Sequence, residues 1–107
     1  RYAYMAAEKL RASGHEFVPI GIKKGEVLGN EILDIKERPI LEDIHTVTMY
    51  VAAEHFVGYE EYVIGLNPKR IIFNLGSENK ILEDKAINTG IEVVQGCTLV
   101  MLGSGQY

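Results

Sequence analysis

Apolar positions near the start of the chain recur at the spacing of a helix. Tyr2, Met5, Ala6 and Leu10 fall on one stripe of good helix formers, which predicts a helix over residues 2–13 with Gly14 as its stop. The pattern then shortens. Phe17-Val18-Pro19-Ile20 is too short for a buried helix and reads as a strand, with Pro19 placing it at an edge or a strand end. Residues 21–45 are irregular, punctuated by Gly21, Gly25 and Gly29, with a short strand expected over Glu31 to Asp34 and a helical turn after Pro39.

The second half is more regular. Thr46-Val47-Thr48-Met49-Tyr50-Val51 is β-branched and aromatic, the composition of a strand. Phe56, Tyr59, Val63 and Leu66 mark one stripe of a helix over residues 53–66. Arg70-Ile71-Ile72-Phe73-Asn74 is a continuous apolar run, as in a strand covered on both faces. Leu75-Gly76-Ser77 is a turn, residues 78–89 a helix ended by Gly90, and Ile91 to Val94 a further strand. Thr98 to Leu102 is a last apolar run before the loose Gly103-Ser104-Gly105. Strands alternating with helices imply βαβ units and a parallel sheet with helices on both faces. The fold class is therefore α/β: a Rossmann-like, doubly wound sheet in three layers, one domain over residues 1–107. Such a fold usually opens with a central strand and a glycine-rich turn, whereas here the first element is a helix. The expectation is that the first strand is missing from this chain.

Composition narrows the class without choosing a function. A chain of 107 residues has room for one modest core, and 47% hydrophobic with 24% charged residues is ordinary for a globular protein. No apolar run approaches membrane-spanning length, and Arg1-Tyr2 does not open a signal peptide. The net charge of -4 argues against a nucleic-acid partner. Cys97 is the only cysteine, which excludes an internal disulfide and suits the cytoplasm. It is expected to be a small buried residue. His15, His45 and His55 show no metal-ligand spacing with it, and no acidic pair forms an acid/base couple.

Several stretches in order resemble the small CoA-binding protein family, whose domain is similar to that of the succinyl-CoA synthetase α subunit. They are Arg1-Tyr2-Ala3-Tyr4, residues 14–20, Gly25-Glu26-Val27-Leu28-Gly29, residues 68–79, and residues 90–97. The resemblance implies binding of coenzyme A or an acyl-CoA by its nucleotide end, with no catalysis by the chain itself. The family's phosphate-cradling glycine loop would lie before Arg1. Its proline-containing turn after the third strand is replaced by Val51-Ala52-Ala53-Glu54-His55.

In open α/β sheets, ligands bind beyond the carboxyl ends of the strands. The fold reading puts Gly21, Ile22, Val51, Asn74, Gly76 and Cys97 there. Arg1 and Tyr2 lie at the amino end of the first helix, where free N–H groups and the dipole favour an anion. Lys23 and Lys24 follow a strand end and, on the resemblance, contact the 3′-phosphate or pyrophosphate; solvated loop lysines are the plainer reading. Asn74, Gly76 and Ser77 line the crevice in the family, with ordinary turn chemistry as the alternative and Ser77 available as an N-cap. Two other functions stay open. One is the CoA-binding subunit of an acyl-CoA synthetase, which needs a partner subunit. The other is an NAD-binding redox sensor, although two lysines follow Gly21-Ile22 where a dinucleotide binder usually has an acid. Exposed sheet edges could also promote a homo-oligomer.

Overall fold

A computed structural model describes residues 2–107, so the predicted contact of Arg1 lies outside the described residues. Helix α1 spans Tyr2–Ala12. Gly14 ends it at φ +84° while the His15 amide returns to Leu10 O at 2.9 Å, so the left-handed residue that glycine tolerates closes the helix. Strand β1 (Ile20–Gly21) pairs in parallel with β4 (Leu33–Asp34). Between them β2 (Glu26–Val27) and β3 (Asn30–Glu31) form an antiparallel hairpin. Its two-residue turn has positive φ at both Leu28 and Gly29, the arrangement that matches strand twist.

The other ladder is longer and wholly parallel. Strands β5 (Thr46–Met49), β6 (Arg70–Phe73) and β7 (Glu92–Gln95) lie side by side with β6 central. Every residue of β6 is buried, which accounts for its unbroken apolar run. Alternation splits its side chains between two faces. Ile71 and Phe73 join Met49, Val63 of α2 (Glu60–Gly65), Leu82 and Ala86 of α3 (Lys80–Asn88) and Ile91 in one core cluster. Ile72 points the other way and is also fully buried. On that side α1 packs with α4 (Thr98–Gly103), and Ala6, Ala7 and Leu10 are buried. The result is the expected Rossmann-like α/β arrangement with parallel strands between helices.

Local readings changed at four places. The helix expected over 53–66 is broken: Ala53–His55 is one 3-10 turn, Gly58 takes φ +95°, and only Glu60–Gly65 is α-helical. The helical turn expected after Pro39 lies before it, at Ile35–Glu37, where the Asp34 carboxylate accepts from Lys36 N at 2.9 Å. The last apolar run, given no element from sequence, is a helix over Thr98–Gly103. The strand near Glu31 is divided between β3 and β4 at Ile32, because these two residue pairs serve different partners.

The sheet is not continuous among the described residues. β1 pairs only with β4, and β5 only with β6. Ile20 of β1 and Val47 of β5 nevertheless pack against the same core cluster. Each strand therefore keeps one free edge beside a shared apolar interior.

Candidate functional site

The parallel ladders deliver four chain segments to one edge. After β1 come Ile22, Lys23 and Lys24; after β5, Tyr50 and Val51; after β6, the turn 74–79; after β7, Gly96 and Cys97. Because α1 feeds β1, its first turn with Tyr2 lies toward this same edge. Tyr2 itself is exposed.

The turn after β6 is built by its own hydrogen bonds. Asn74 is buried and, just past the end of β6, ties the end of β5 to the start of α4: its Nδ2 donates to Met49 O at 3.0 Å, and its Oδ1 accepts from Thr98 N at 2.8 Å. The Ser77 amide and hydroxyl both donate to Asn74 O, at 2.9 and 2.7 Å. Ser77 is fully buried and is not the helix cap expected of it. That place belongs to Asn79, whose Oδ1 accepts from Leu82 N at 3.1 Å while Glu83 accepts from Asn79 N at 2.9 Å. A polar residue and an acid four positions apart carried the signal that Ser77 obscured. Gly76 adopts φ +93°, and its N–H donates to the Glu78 carboxylate at 3.0 Å. The Gly76 N–H is thus engaged within the turn.

Lys23 and Lys24 are exposed, and neither has a carboxylate partner among the described residues. Gly21 is half-buried in β1, with Ile22 exposed beyond it. Asp34 stands opposite Gly21 in the neighbouring strand, an acid that the reading of β1 alone did not place at this edge. The structure brings Asn74, Gly76 and Ser77 into one turn and Gly21, Ile22, Lys23 and Lys24 into another.

Cys97 is exposed, against the expectation of burial. It precedes α4, so the helix start carries it outward while Thr98 turns inward and is fully buried. Burial pushes the Tyr50 hydroxyl above the usual phenol range; the neighbouring Thr98 hydroxyl opposes the shift and Cys97 adds to it. Neither hydroxyl has a well-aligned partner among the described residues. No group of three metal-ligating side chains occurs among them either. Two depressions lie elsewhere. One of about 580 Å³ is lined by Met5, Lys9 and Leu99 among others, and one of about 230 Å³ by Pro39, Ile40 and Tyr62. Neither is lined by a predicted ligand residue.

Residues 1–103 match a protein family described as a CoA binding domain. This chain belongs to the CoA-binding domain family. A crystal structure of an uncharacterized protein is 51% identical to it, with TM-score 0.95 over 100% of this chain and 87% of the other. Prb, a PH1109 protein redesigned for binding, shares the fold at 19% identity and TM-score 0.84, covering 99% of this chain and 74% of that one. A hypothetical protein from Pyrococcus horikoshii OT3 does so at 23% identity and TM-score 0.78, covering 95% and 72%. No curated protein matches the sequence. No helix among the described residues is long and apolar enough to cross a membrane. The carboxyl ends of the strands are followed by Gly21, Ile22, Lys23 and Lys24 on one ladder and by Asn74, Gly76 and Ser77 on the other.

Proposed function

We propose that this CoA-binding domain holds coenzyme A or an acyl-CoA by its nucleotide end and performs no chemistry of its own. The observation that carries the reading is the family match over residues 1–103 in a chain whose Lys23 and Lys24 stand unpaired beyond β1. Two free ammonium groups there favour a ligand with an anionic end, and we assign them the 3′-phosphate or pyrophosphate. Tyr2, Gly21 and Ile22 flank that contact, and Asn74, Gly76 and Ser77 shape the neighbouring turn. Arg1 would add a further cation.

The free edges of β1 and β5 support the pairing of one more strand between the ladders, supplied by an upstream segment or a second copy. A cytoplasmic location suits the exposed free thiol of Cys97.

Calorimetry with CoA, 3′-dephospho-CoA, NAD and ATP tests the reading, on this chain and on an N-terminally extended one. CoA should bind, and dephospho-CoA more weakly. Tight NAD binding without CoA binding would replace the proposal with the dinucleotide alternative, for which Asp34 is the available acid. If no nucleotide binds either chain, the site assignment is wrong.

A further inference from the structure

The amino edge of the sheet, opposite the candidate ligand edge, holds a buried cation. Arg70 opens the central strand β6 and is only 8% exposed. Ile71 and Phe73 face the core cluster, so by alternation Arg70 lies with Ile72 on the side of α1 and α4. No carboxylate stands within ion-pair distance of it among the described residues. Glu92 is its register partner on β7, yet that residue is exposed and makes no pair with it. A buried guanidinium ordinarily pairs with an acid, because an unpaired charge is costly to desolvate.

The contacts that Arg70 does make fix its orientation. Its Nε donates to Thr46 Oγ1 at 3.2 Å, and that hydroxyl lies 2.7 Å from His45 Nδ1. The Tyr107 ring covers one face of the guanidinium, with its centroid 4.6 Å from Cζ. His15 packs on Tyr107 with ring centroids 5.1 Å apart. Gln106 N and Tyr107 N both donate to Met101 O, at 2.8 and 3.1 Å, which anchors the segment that carries the ring. The Nε edge and one face are thus engaged. The two terminal nitrogens are not: neither has an acceptor among the described residues, and Nη2 is covered. A guanidinium clamped at Nε and stacked on an aromatic ring presents its end as a rigid fork. That fork matches two oxygens of a carboxylate or a phosphate.

We infer that Arg70 is the centre of a second binding site, at the amino edge, for a single oxyanion, with Tyr107 as the platform that orients the fork. A small shift of the Tyr107 side chain opens Nη2, and the segment leading to it is exposed from Ser104 to Gln106. Arg70 and Asn74 are four strand positions apart, about 13 Å, so this site is separate from the carboxyl edge and independent of the CoA reading.

Titration with inorganic phosphate and, separately, with acetate, at constant ionic strength and followed by two-dimensional NMR, tests it. Saturable shifts should centre on the Arg70 Nε–H, Thr46, His15 and Tyr107 signals. The probe that gives them tells phosphate from carboxylate. Arg70→Met should abolish them, and Tyr107→Leu should weaken binding about two- to fivefold, the value of one cation–π contact. Thermal unfolding supplies a second readout. The binding anion should raise the Tm of the wild type and leave that of Arg70→Met unmoved. Without added anion, Arg70→Met should melt no lower than the wild type, because it removes an unpaired buried charge. No saturable shift with either probe, or shifts that survive Arg70→Met, overturns the inference. A marked fall in the Tm of Arg70→Met also overturns it, since the arginine is then a structural strut.

Discussion

The two ladders of this sheet show how differently one chain can hold its strands. β5, β6 and β7 each run four residues, and the central one is buried throughout. β1 and β4 run two residues each and are only half-buried or exposed. The long ladder has helices on both faces, so its geometry is over-determined by packing. The short one is held by few ladder bonds, by Leu33 N donating to Pro19 O at 2.9 Å, and by Ile20 and Ile35 at the margin of the core. The half with the longer ladder carries the turn 74–79, and the half with the shorter one carries Lys23 and Lys24. On the proposed reading, one wall of the site would be preformed and the other adjusted by the ligand.

Core truncation should separate the halves most sharply. Phe73→Ala should cost about 3–5 kcal/mol in urea unfolding, because a fully buried side chain leaves a cavity between sheet and helices. Ile20→Ala, at the half-buried margin, should cost about 1–2 kcal/mol. Equal losses would show that the two ladders form one cooperative core. Asn74→Ala comes next, at about 2–3 kcal/mol, since it leaves Met49 O short of one donor and Thr98 N unpaired where both are covered.

Function should follow the opposite pattern. The double change Lys23→Ala and Lys24→Ala should weaken CoA binding by about tenfold, roughly 1.4 kcal/mol, while thermal unfolding of the free protein stays put. The loss should shrink at high salt, because exposed charges are screened. A large drop in stability instead would make the lysines structural. Asn79→Ala should cost about 1 kcal/mol through its lost helix cap, read from the urea midpoint.

The smallest effect should appear in alkali. Tyr50 in the folded protein ionises above its ordinary value of 10.0, so folding favours its neutral form. Its contribution is complete below the unfolded pKa and is lost as pH rises through the folded one. The urea midpoint should therefore fall as the pH passes about 10, and Tyr50→Phe should reduce that fall.

The same division governs what could be read from residues alone. Gly14 and Gly90 stop helices where expected, because left-handed termini at φ +84° are a local demand. β6 was legible from its apolar run, and β5 from its β-branched residues. The hairpin β2–β3 was not, because its turn uses Leu28 at φ +52° where Asn or Asp would have signalled it. The break at Gly58 was hidden by an apolar stripe that continued across it. Tertiary contacts held Phe56 and Val63 in one core without a continuous helix between them. Ser77 looked like a cap in sequence and is a buried strut in space.

By itself, the sequence determined the alternation of strands and helices, the parallel sheet and the residues at its carboxyl edge. Those follow from periodicity and turn chemistry, which act over a few residues. Only the tertiary structure decided that Cys97 faces water, that Asn74 ties the end of β5 to the start of α4, and that Asp34 stands beside Gly21. Each depends on distant segments meeting, Asn74 with Met49 and Thr98, Gly21 with Asp34, and no local pattern records such a meeting.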